Sequence, residues 1–326
     1  MKAAVYRRYG SPDVVRVEEV ARPEPKDDEV LIRIKASTVS SGDMRARSLQ
    51  MPAGFGLFAR PVFGLFGPRQ GILGTELAGE IEAVGKAVTR FKVGDAVFAF
   101  SGFGMGCHAE YRTMPEDGPL VSMPTGVSFE EAAAISFGGN TALYYLRDLG
   151  KIAAGDEVLI IGASGAVGSA AVQLARHFGA KVTAVTSTPN VERVTQLGAE
   201  RVIDYTKASF LDDGKPYDLI FDTVGSTEYA ACRAALKEAG RLLLCGASLP
   251  QMLRSNWAAR SSQQKVFAGA ASERVENLRY LKDLVESGQY RPLIDRSYPL
   301  DQIVDAHAYI EAGRKRGSVV ITMARA

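Results

Sequence analysis

The sequence is poor in cysteine and has no long apolar run. Its three cysteines, Cys107, Cys232 and Cys245, are far apart in the chain, so a disulfide framework is not expected and a reducing compartment is. No segment approaches the roughly 18 to 20 uncharged apolar residues that span a membrane. The N-terminus carries no apolar signal segment. We therefore expect a soluble, cytoplasmic protein.

An excess of one charge sign is also missing. The chain has 39 basic and 37 acidic residues, which gives a net charge of +2. This balance gives no reason to expect nucleic acid or an anionic membrane as a partner. The one dense basic run, Arg314-Lys315-Arg316, is interpreted as a solvated helix end, although a cofactor phosphate could use it.

The length of 326 residues and a change in periodicity indicate two domains. Up to about residue 124 the chain reads as short strands separated by turn residues, which predicts a mostly β unit. The predicted strands in this part are Val14–Val17, Glu29–Ile34, Leu77–Val84 and Asp95–Phe100.

From about residue 128 the pattern changes to alternating helices and apolar strands. Such strands, separated by helices, predict a parallel sheet that is covered on both faces. A helix over Arg274–Ser287 and a final strand over Val319–Thr322 are expected to pack back on the first domain. The other predicted helices are Phe129–Leu149 with Ser128 as N-cap, Ala166–Phe178 and one ending at Leu197, and the strands are Glu157–Ile161, Lys181–Thr186, Arg201–Ile203, Asp218–Phe221 and Arg241–Leu244.

The strongest local motif is a glycine-rich turn between a predicted strand and a predicted helix. Small residues there let the backbone approach a pyrophosphate, and the helix N-terminus offers free N–H groups and a positive dipole end. The last glycine allows close packing of helix against strand. The sequence therefore predicts a dinucleotide site formed by Gly162, Ala163, Ser164, Gly165, Ala166, Val167 and Gly168.

The end of the next strand indicates which nicotinamide cofactor is bound. An NAD site usually has an acid about 20 residues further on, which takes the ribose 2′-hydroxyl. This chain has Ser187 and Thr188 there and no carboxylate until Glu192. With Thr188 as N-cap and Pro189 at the first helical position, this setting favours a 2′-phosphate, which Arg193 could reach. We predict NADPH; the alternative is that both hydroxyls only cap the helix.

With these elements in place, the chain resembles the medium-chain dehydrogenase/reductase superfamily, in particular its zinc-independent quinone oxidoreductase branch. The resemblance covers nearly the whole length and rests on separate motifs in the right order. The motifs are Met1-Lys2-Ala3, the run from Gly71 to Gly79, Phe91 to Val97, Gly162 to Gly168, and Asp222-Thr223-Val224-Gly225.

The resemblance implies an α/β fold class, with a Rossmann domain of doubly wound parallel sheet over residues 125–270. It implies a mostly β, GroES-like catalytic domain over residues 1–124 and 271–326, with the active site in the cleft between the domains. Ser40 and Thr141 are expected near the nicotinamide, and Tyr205 beside the adenosine and 2′-phosphate. The residues expected to line the ribose and nicotinamide are Thr223, Val224, Cys245, Gly246 and Ala247.

Zinc ligands are missing where related zinc alcohol dehydrogenases have them. Those enzymes use a Cys, the His of a Gly-His-Glu motif and a further Cys or acid, whereas this chain has Ser40 and Gly74-Thr75-Glu76. A hydroxyl is a poor zinc ligand beside thiolate and imidazole. The pair Cys107-His108 has no partners at ligand spacing and is interpreted as structural. We predict no metal.

Without a Lewis acid, reduction of a conjugated carbonyl is easier than oxidation of an alcohol. Hydride adds at carbon while charge spreads onto an oxygen that hydrogen bonds can hold. Ser40 is the candidate donor, with Asp43 and Arg45 as nearby polar groups, Thr141 as a further catalytic candidate and water as the proton source. The predicted function is an NADPH-dependent quinone or enone reductase acting on a small apolar carbonyl compound. The alternatives are an enoyl-thioester reductase of the same superfamily and a non-catalytic NADPH-binding protein.

Two further expectations concern a loop and the assembly. Phe55-Gly56-Leu57-Phe58 recurs as Phe63-Gly64-Leu65-Phe66, and glycine-spaced aromatics of this kind could form a mobile apolar cover on a substrate cleft. Simple packing within a loop is the equal alternative. A homodimer is expected because dimers are common in the branch that the chain resembles.

Overall fold

The computed structural model describes residues 1–260, 262–313 and 315–323, and the side chains of Leu57, Phe58 and Asp213 lie outside this description. Within these residues the chain forms fifteen strands and ten α-helices. The strands are β1 (Lys2–Tyr6), β2 (Val15–Glu19), β3 (Glu29–Val39), β4 (Glu76–Val84), β5 (Ala96–Phe100), β6 (Tyr111–Pro115), β7 (Leu120–Ser122), β8 (Glu157–Ile161), β9 (Lys181–Thr186), β10 (Arg201–Asp204), β11 (Tyr217–Asp222), β12 (Leu236–Leu244), β13 (Lys265–Ala268), β14 (Ile294–Pro299) and β15 (Ser318–Thr322).

The helices connect these strands. They are α1 (Ser41–Ser48), α2 (Gly56–Phe63), α3 (Phe129–Ala133), α4 (Ser136–Leu143), α5 (Ala166–His177), α6 (Val191–Gln196), α7 (Tyr229–Cys232), α8 (Leu249–Ala259), α9 (Val275–Glu286) and α10 (Ile303–Glu311). No helix within the described ranges is long and apolar enough to cross a membrane.

The chain divides into two compact units. Unit 1 comprises Met1–Met51, Gly56–Phe137 and Glu273–Ala326, and unit 2 comprises Pro52–Phe55 and Gly138–Ser272.

Unit 2 is built on a six-stranded parallel sheet. Its strand order is β10-β9-β8-β11-β12-β13, which is the order 3-2-1-4-5-6 of a doubly wound dinucleotide-binding domain. The central strands are buried almost completely, as Leu159, Ile220 and Leu242 show with 0% exposure. Helices on both faces of a parallel sheet require such strands to be apolar throughout. In this topology the point where the order reverses lies between β8 and β11, and ligands bind at the carboxyl ends of these strands.

Unit 1 is mostly β. Its larger sheet has seven strands, with the path β14-β15-β3-β4-β5-β7 and with β6 paired to the N-terminal half of the long strand β3. The C-terminal strand β15 pairs antiparallel with β3, with Val319 opposite Val39. One cluster of buried residues, including Ile32, Leu77 and Ile303, fills this unit. The predicted fold class, a Rossmann domain combined with a mostly β GroES-like domain, is therefore confirmed.

Two predicted local structures are wrong. The stretch predicted as one helix, Phe129–Leu149, is divided into α3, α4 and a π-helical segment over Tyr144–Leu149. The aromatic segment predicted as a loop contains helix α2, in spite of Pro61 within it. At the end of that helix, the ring of Phe63 lies against that of Phe103, with 6.3 Å between the ring centroids. Phe66 is fully exposed, and the side chain of Phe58 lies outside the described residues.

A pair of buried histidines lies in unit 1. The rings of His108 and His307 meet edge to face, with 5.8 Å between centroids. Both side chains are fully buried. His108 Nε2 lies 2.9 Å from the Thr38 carbonyl oxygen, whereas neither ring nitrogen of His307 has a hydrogen-bond partner among the described residues. Burial first, and then the nearby His108 and Arg47, hold the pKa of His307 well below its usual value.

This burial predicts a pH-dependent contribution of His307 to stability. The folded state keeps His307 neutral, while the unfolded chain binds a proton below its ordinary pKa of about 6.5, so this contribution is lost as pH falls below that value. Urea unfolding gives the free energy of unfolding at each pH. Replacing His307 with Leu should reduce the slope of this free energy against pH between pH 6.5 and 5, by up to about 1.4 kcal/mol per pH unit relative to the unaltered protein. Between pH 7.5 and 8.5 the two curves should run parallel. Equal slopes in the acid range would show that His307 binds its proton in the folded protein as readily as in the unfolded chain.

Candidate functional site

The glycine-rich turn after β8 is shaped by contacts that only glycine permits. Gly162 has φ +79°, and a Cβ there would lie 2.4 Å from Val224 Cγ2. A Cβ on Gly168 would lie 2.1 Å from the carbonyl oxygen of Gly162. These backbone contacts hold the first turn of α5 against the end of β8, because no side chain stands between them.

The N-terminus of α5 is left open by the residue that begins it. Gly165 is the N-cap, with extended backbone and no side-chain capping bond, so the first N–H groups, those of Ala166, Val167 and Gly168, receive no side-chain cap. A Cβ on Gly165 would meet nothing closer than 3.6 Å, which means that the fold itself does not require glycine here. An uncapped N-terminus of a twelve-residue helix in this position fits a pyrophosphate.

The loop that follows β11 is organised by Asp222. This buried carboxylate accepts hydrogen bonds from the backbone N–H groups of Val224, Gly225 and Thr227, at 2.8 to 2.9 Å, and from the Thr227 hydroxyl. Thr223 donates to the carbonyl oxygen of Ile161 at 2.8 Å, which joins the loop to the end of β8. The Val224 side chain is 59% exposed. Asp222 therefore fixes a loop that presents an apolar side chain at the switch point.

The turn after β12 lies against this loop. Cys245 N–H donates to the Asp222 carbonyl oxygen at 2.9 Å. Gly246 has φ +82°, and its carbonyl oxygen would lie 3.0 Å from a Cβ on Gly225. Ala247 is buried. The residues predicted to line the ribose and nicotinamide are thus brought together at the carboxyl ends of β8, β11 and β12.

At the end of β9 the structure corrects the predicted helix start. Thr188 is not the N-cap of α6; it begins a short 3₁₀ turn, Thr188–Asn190, with Ser187 before it, and α6 starts at Val191. Asn190 joins this turn to the glycine loop, because its side-chain nitrogen lies 3.0 Å from Ser187 Oγ and 3.4 Å from Ser164 Oγ.

A carboxylate that sequence reasoning missed also lies at this end of β9. Asp204 ends β10 and accepts the hydroxyl proton of Thr188, with 2.5 Å between the oxygens. It also accepts hydrogen bonds from the backbone N–H and the hydroxyl of Thr206. Tyr205 follows it, is 62% exposed and donates its N–H to the Thr186 carbonyl oxygen. Arg193 lies half-buried on α6.

In unit 1, Ser40 and Asp43 form a closed pair at the start of α1. The Ser40 hydroxyl donates to Asp43 Oδ2 at 2.6 Å and accepts from the Asp43 N–H at 3.2 Å. Asp43 also accepts from the N–H groups of Ser40 and Gly74, each at 2.8 Å. Both residues are buried. Asp43 therefore accepts three hydrogen bonds, and one of them commits the single proton of the Ser40 hydroxyl.

Glu76 is a second buried carboxyl in this unit. It accepts hydrogen bonds from the Thr38 hydroxyl and from the backbone N–H of Phe137, near the start of α4. Burial raises the pKa of Glu76 to about 7. The helix that begins at this contact carries Thr141, which is 9% exposed.

No group of three or more His, Cys, Asp or Glu side chains suited to a metal ion occurs among the described residues. Cys107 is buried, and burial raises the pKa of its thiol to about 12. Gly74 packs so closely on His108 that a Cβ would lie 2.6 Å from the imidazole Cδ2. These contacts agree with the interpretation of Cys107-His108 as a structural pair.

Comparison with known proteins identifies the family. Residues 26–125 match the family described as alcohol dehydrogenase GroES-like domain, and residues 197–321 match the family described as zinc-binding dehydrogenase. The chain is similar to a 2-methylene-furan-3-one reductase of Solanum lycopersicum, with 36% identity over 98% of this chain and 79% of the relative. It is also similar to an NADPH-dependent alkenal/one oxidoreductase, chloroplastic, of Arabidopsis thaliana, with 32% identity over 98% of this chain and 79% of the relative.

This chain is also similar to a solved structure, over almost the full length of both proteins. The quinone oxidoreductase from Coxiella burnetii has a TM-score of 0.87 and 29% identity, over 100% of this chain and 99% of that one. The fold and the site thus define an NAD(P)-binding oxidoreductase. The chain belongs to the medium-chain dehydrogenase/reductase superfamily, in its quinone oxidoreductase-like branch.

The two glycines of the phosphate loop should respond differently to alanine. In Gly168→Ala the new methyl group meets backbone, so we expect a loss of stability of about 1 to 3 kcal/mol. In the matched variant Gly165→Ala the methyl group has room, and stability should fall by less than about 1 kcal/mol. Affinity for NAD(P)H should nevertheless fall by about tenfold or more, because the methyl group would cover the open N–H groups. Urea unfolding and NADPH fluorescence titration measure the two effects; unchanged affinity in Gly165→Ala would argue against a phosphate at this helix.

Proposed function

We propose that the chain is a zinc-independent enzyme that uses NADPH to reduce a small apolar conjugated carbonyl compound, either an enone or a quinone. In this proposal unit 2 holds the cofactor and unit 1 supplies the polar groups for the substrate. The observation that carries it is the uncapped N-terminus of α5, together with the hydrogen-bonded pair Ser40 and Asp43 at the start of α1. The resemblance puts Ser40 and Thr75 at the positions where zinc enzymes have ligands. The names of two relatives, 2-methylene-furan-3-one reductase and NADPH-dependent alkenal/one oxidoreductase, support the substrate class.

The same relatives bear on the cofactor and the assembly. One of them is named as NADPH-dependent, which supports NADPH for this chain. In this chain the cofactor would be held by the residues of Gly162–Gly168, the loop fixed by Asp222 and the 3₁₀ turn after β9. A homodimer in the cytoplasm remains part of the proposal.

NADPH, held by the residues of unit 2, would supply a hydride for the β-carbon of an enone or the ring of a quinone, and the carbonyl oxygen would then carry negative charge. The chain has to hold that negative charge until a proton arrives from water. The Ser40 hydroxyl can do so only if its proton turns from Asp43 Oδ2 to the substrate oxygen. The Asp43 carboxylate still accepts from two backbone N–H groups at that point, so it is not left unpaired.

A substrate panel tests the proposed function directly. With NADPH, the protein should reduce a simple enone or a benzoquinone, followed at the nicotinamide absorbance, and should leave the matching saturated ketone unchanged. Addition of a chelator should not alter the rate. Reduction of the saturated ketone at a comparable rate, or loss of activity on chelation, would contradict the proposal.

Ser40 can be tested with neighbours as controls. Ser40→Ala should lower kcat for the enone by about tenfold or more, because the developing oxyanion loses a donor, while KM for NADPH stays within about twofold. Ser40→Thr keeps the hydroxyl and should restore most of the rate, and Ser41→Ala controls for the adjacent position. Ser40→Ala also removes an N-cap worth about 1 kcal/mol, which thermal unfolding will report. A stability loss with no change in kcat would limit Ser40 to capping α1.

A further inference from the structure

At the ribose end of the cofactor site, the residues that directly follow the second strand include no acid. A carboxylate from another strand lies beside them. An acid that selects NAD usually stands at the end of the second strand of the sheet, about 20 residues beyond the glycine loop. In this chain that strand is β9, and Ser187 and Thr188 follow it.

Sheet pairing brings a carboxylate to that place from the third strand. β10 runs parallel to β9, with Asp204 paired to Thr186, so both strands end at the same edge of the sheet. The chain then joins Thr188 to Asp204 by the 2.5 Å hydrogen bond between their side chains. The two residues are 16 positions apart in sequence.

The carboxylate is ionised at neutral pH, and 11% of its side-chain surface is exposed. The hydrogen bond from Thr188, followed by those from Thr206, lowers the pKa of Asp204 to about 2. Lys207 is the cation that pairs with it, at 3.6 Å, but the lysine side chain is 70% exposed. A solvated cation at this distance neutralises the charge only partly.

The direction of the Thr188 hydrogen bond matters for the ligand. Because the hydroxyl proton is donated to Asp204, the Thr188 oxygen offers only lone pairs to anything else. A ribose 2′-hydroxyl can donate to such a lone pair or to the carboxylate. A 2′-phosphate is fully an acceptor at neutral pH and carries about two negative charges, so it meets repulsion from Asp204 and no donor from Thr188.

We propose that Asp204 is a cofactor-selectivity residue, which supplies from the third strand the carboxylate that other sites carry on the second and thereby limits the preference for NADPH over NADH. The inference rests on the proposed function in one respect, that the ligand is a nicotinamide dinucleotide. Arg193 and Tyr205 are the groups left to favour the 2′-phosphate, and Asp204 opposes them.

Direct binding of both cofactors to the full chain tests the inference without turnover. Asp204→Asn removes the charge and keeps one of the two oxygens that accept from Thr188 and Thr206. Its Kd for NADPH, measured by fluorescence titration or calorimetry at low salt, should fall by about 3- to 10-fold, and that for NADH should not fall. The NADPH effect should shrink as salt is raised to 0.5 M, since salt screens the repulsion between the carboxylate and a phosphate at the protein surface. Glu200→Gln is the matched control, because this exposed acid precedes β10 at the opposite end of the strand and should change neither Kd.

A second variant covers the case in which Asp204→Asn does not fold. In Thr188→Val the NADPH Kd should stay within about twofold, because the hydroxyl does not donate to the phosphate. A tenfold weaker NADPH complex in Thr188→Val would overturn the inference, as would equal Kd changes for both cofactors in Asp204→Asn. If the unaltered protein bound neither cofactor, the proposed function would fail as well. If it bound them and Asp204→Asn left their ratio unchanged, only the inference would fail.

Discussion

The contact between two backbone segments, Gly168 against the carbonyl of Gly162, is the constraint on which the cofactor site depends. It places the start of α5 directly at the end of β8, at the switch point of the sheet. With Gly165 as N-cap, the helix then presents N–H groups that no side chain of its own satisfies. The close packing that stabilises the strand–turn–helix unit thus also leaves backbone N–H groups available to an anion.

Around this contact, carboxylates hold the loops in place by accepting backbone N–H groups. Asp222 fixes the loop after β11, and Asp43 in unit 1 joins Ser40 to Gly74. Burying a charge is costly unless hydrogen bonds replace its hydration, and each of these groups has three or four. In unit 1, side-chain hydrogen bonds of this kind set the loop geometry around Ser40 and Gly74.

The sequence predicts a structural feature well when the residues that determine it are close together in the chain. The glycine loop and the alternating strands are local patterns, and the structure has them within a few residues of the predicted bounds. The split of Phe129–Leu149 into three segments was missed, because a continuous helical period does not show where hydrogen bonding changes to a π-helical segment. The helix in the aromatic segment was missed because Gly56 and Pro61 read as loop signals, although tertiary packing can override such propensities.

Asp204 shows a limit of a different kind. A rule that looks for an acid at a fixed distance along the chain assumes that the nearest residues in sequence face the ribose. In a parallel sheet, however, all strands that enter a site end at the same edge, and neighbouring strands contribute side chains to one spot whatever their separation along the chain. Taken alone, the Thr188 hydroxyl could donate to a phosphate, whereas the same hydroxyl bonded to Asp204 can only accept. The chemical character of a hydroxyl is therefore fixed by its partner, and that partner is set by strand pairing rather than by the local sequence.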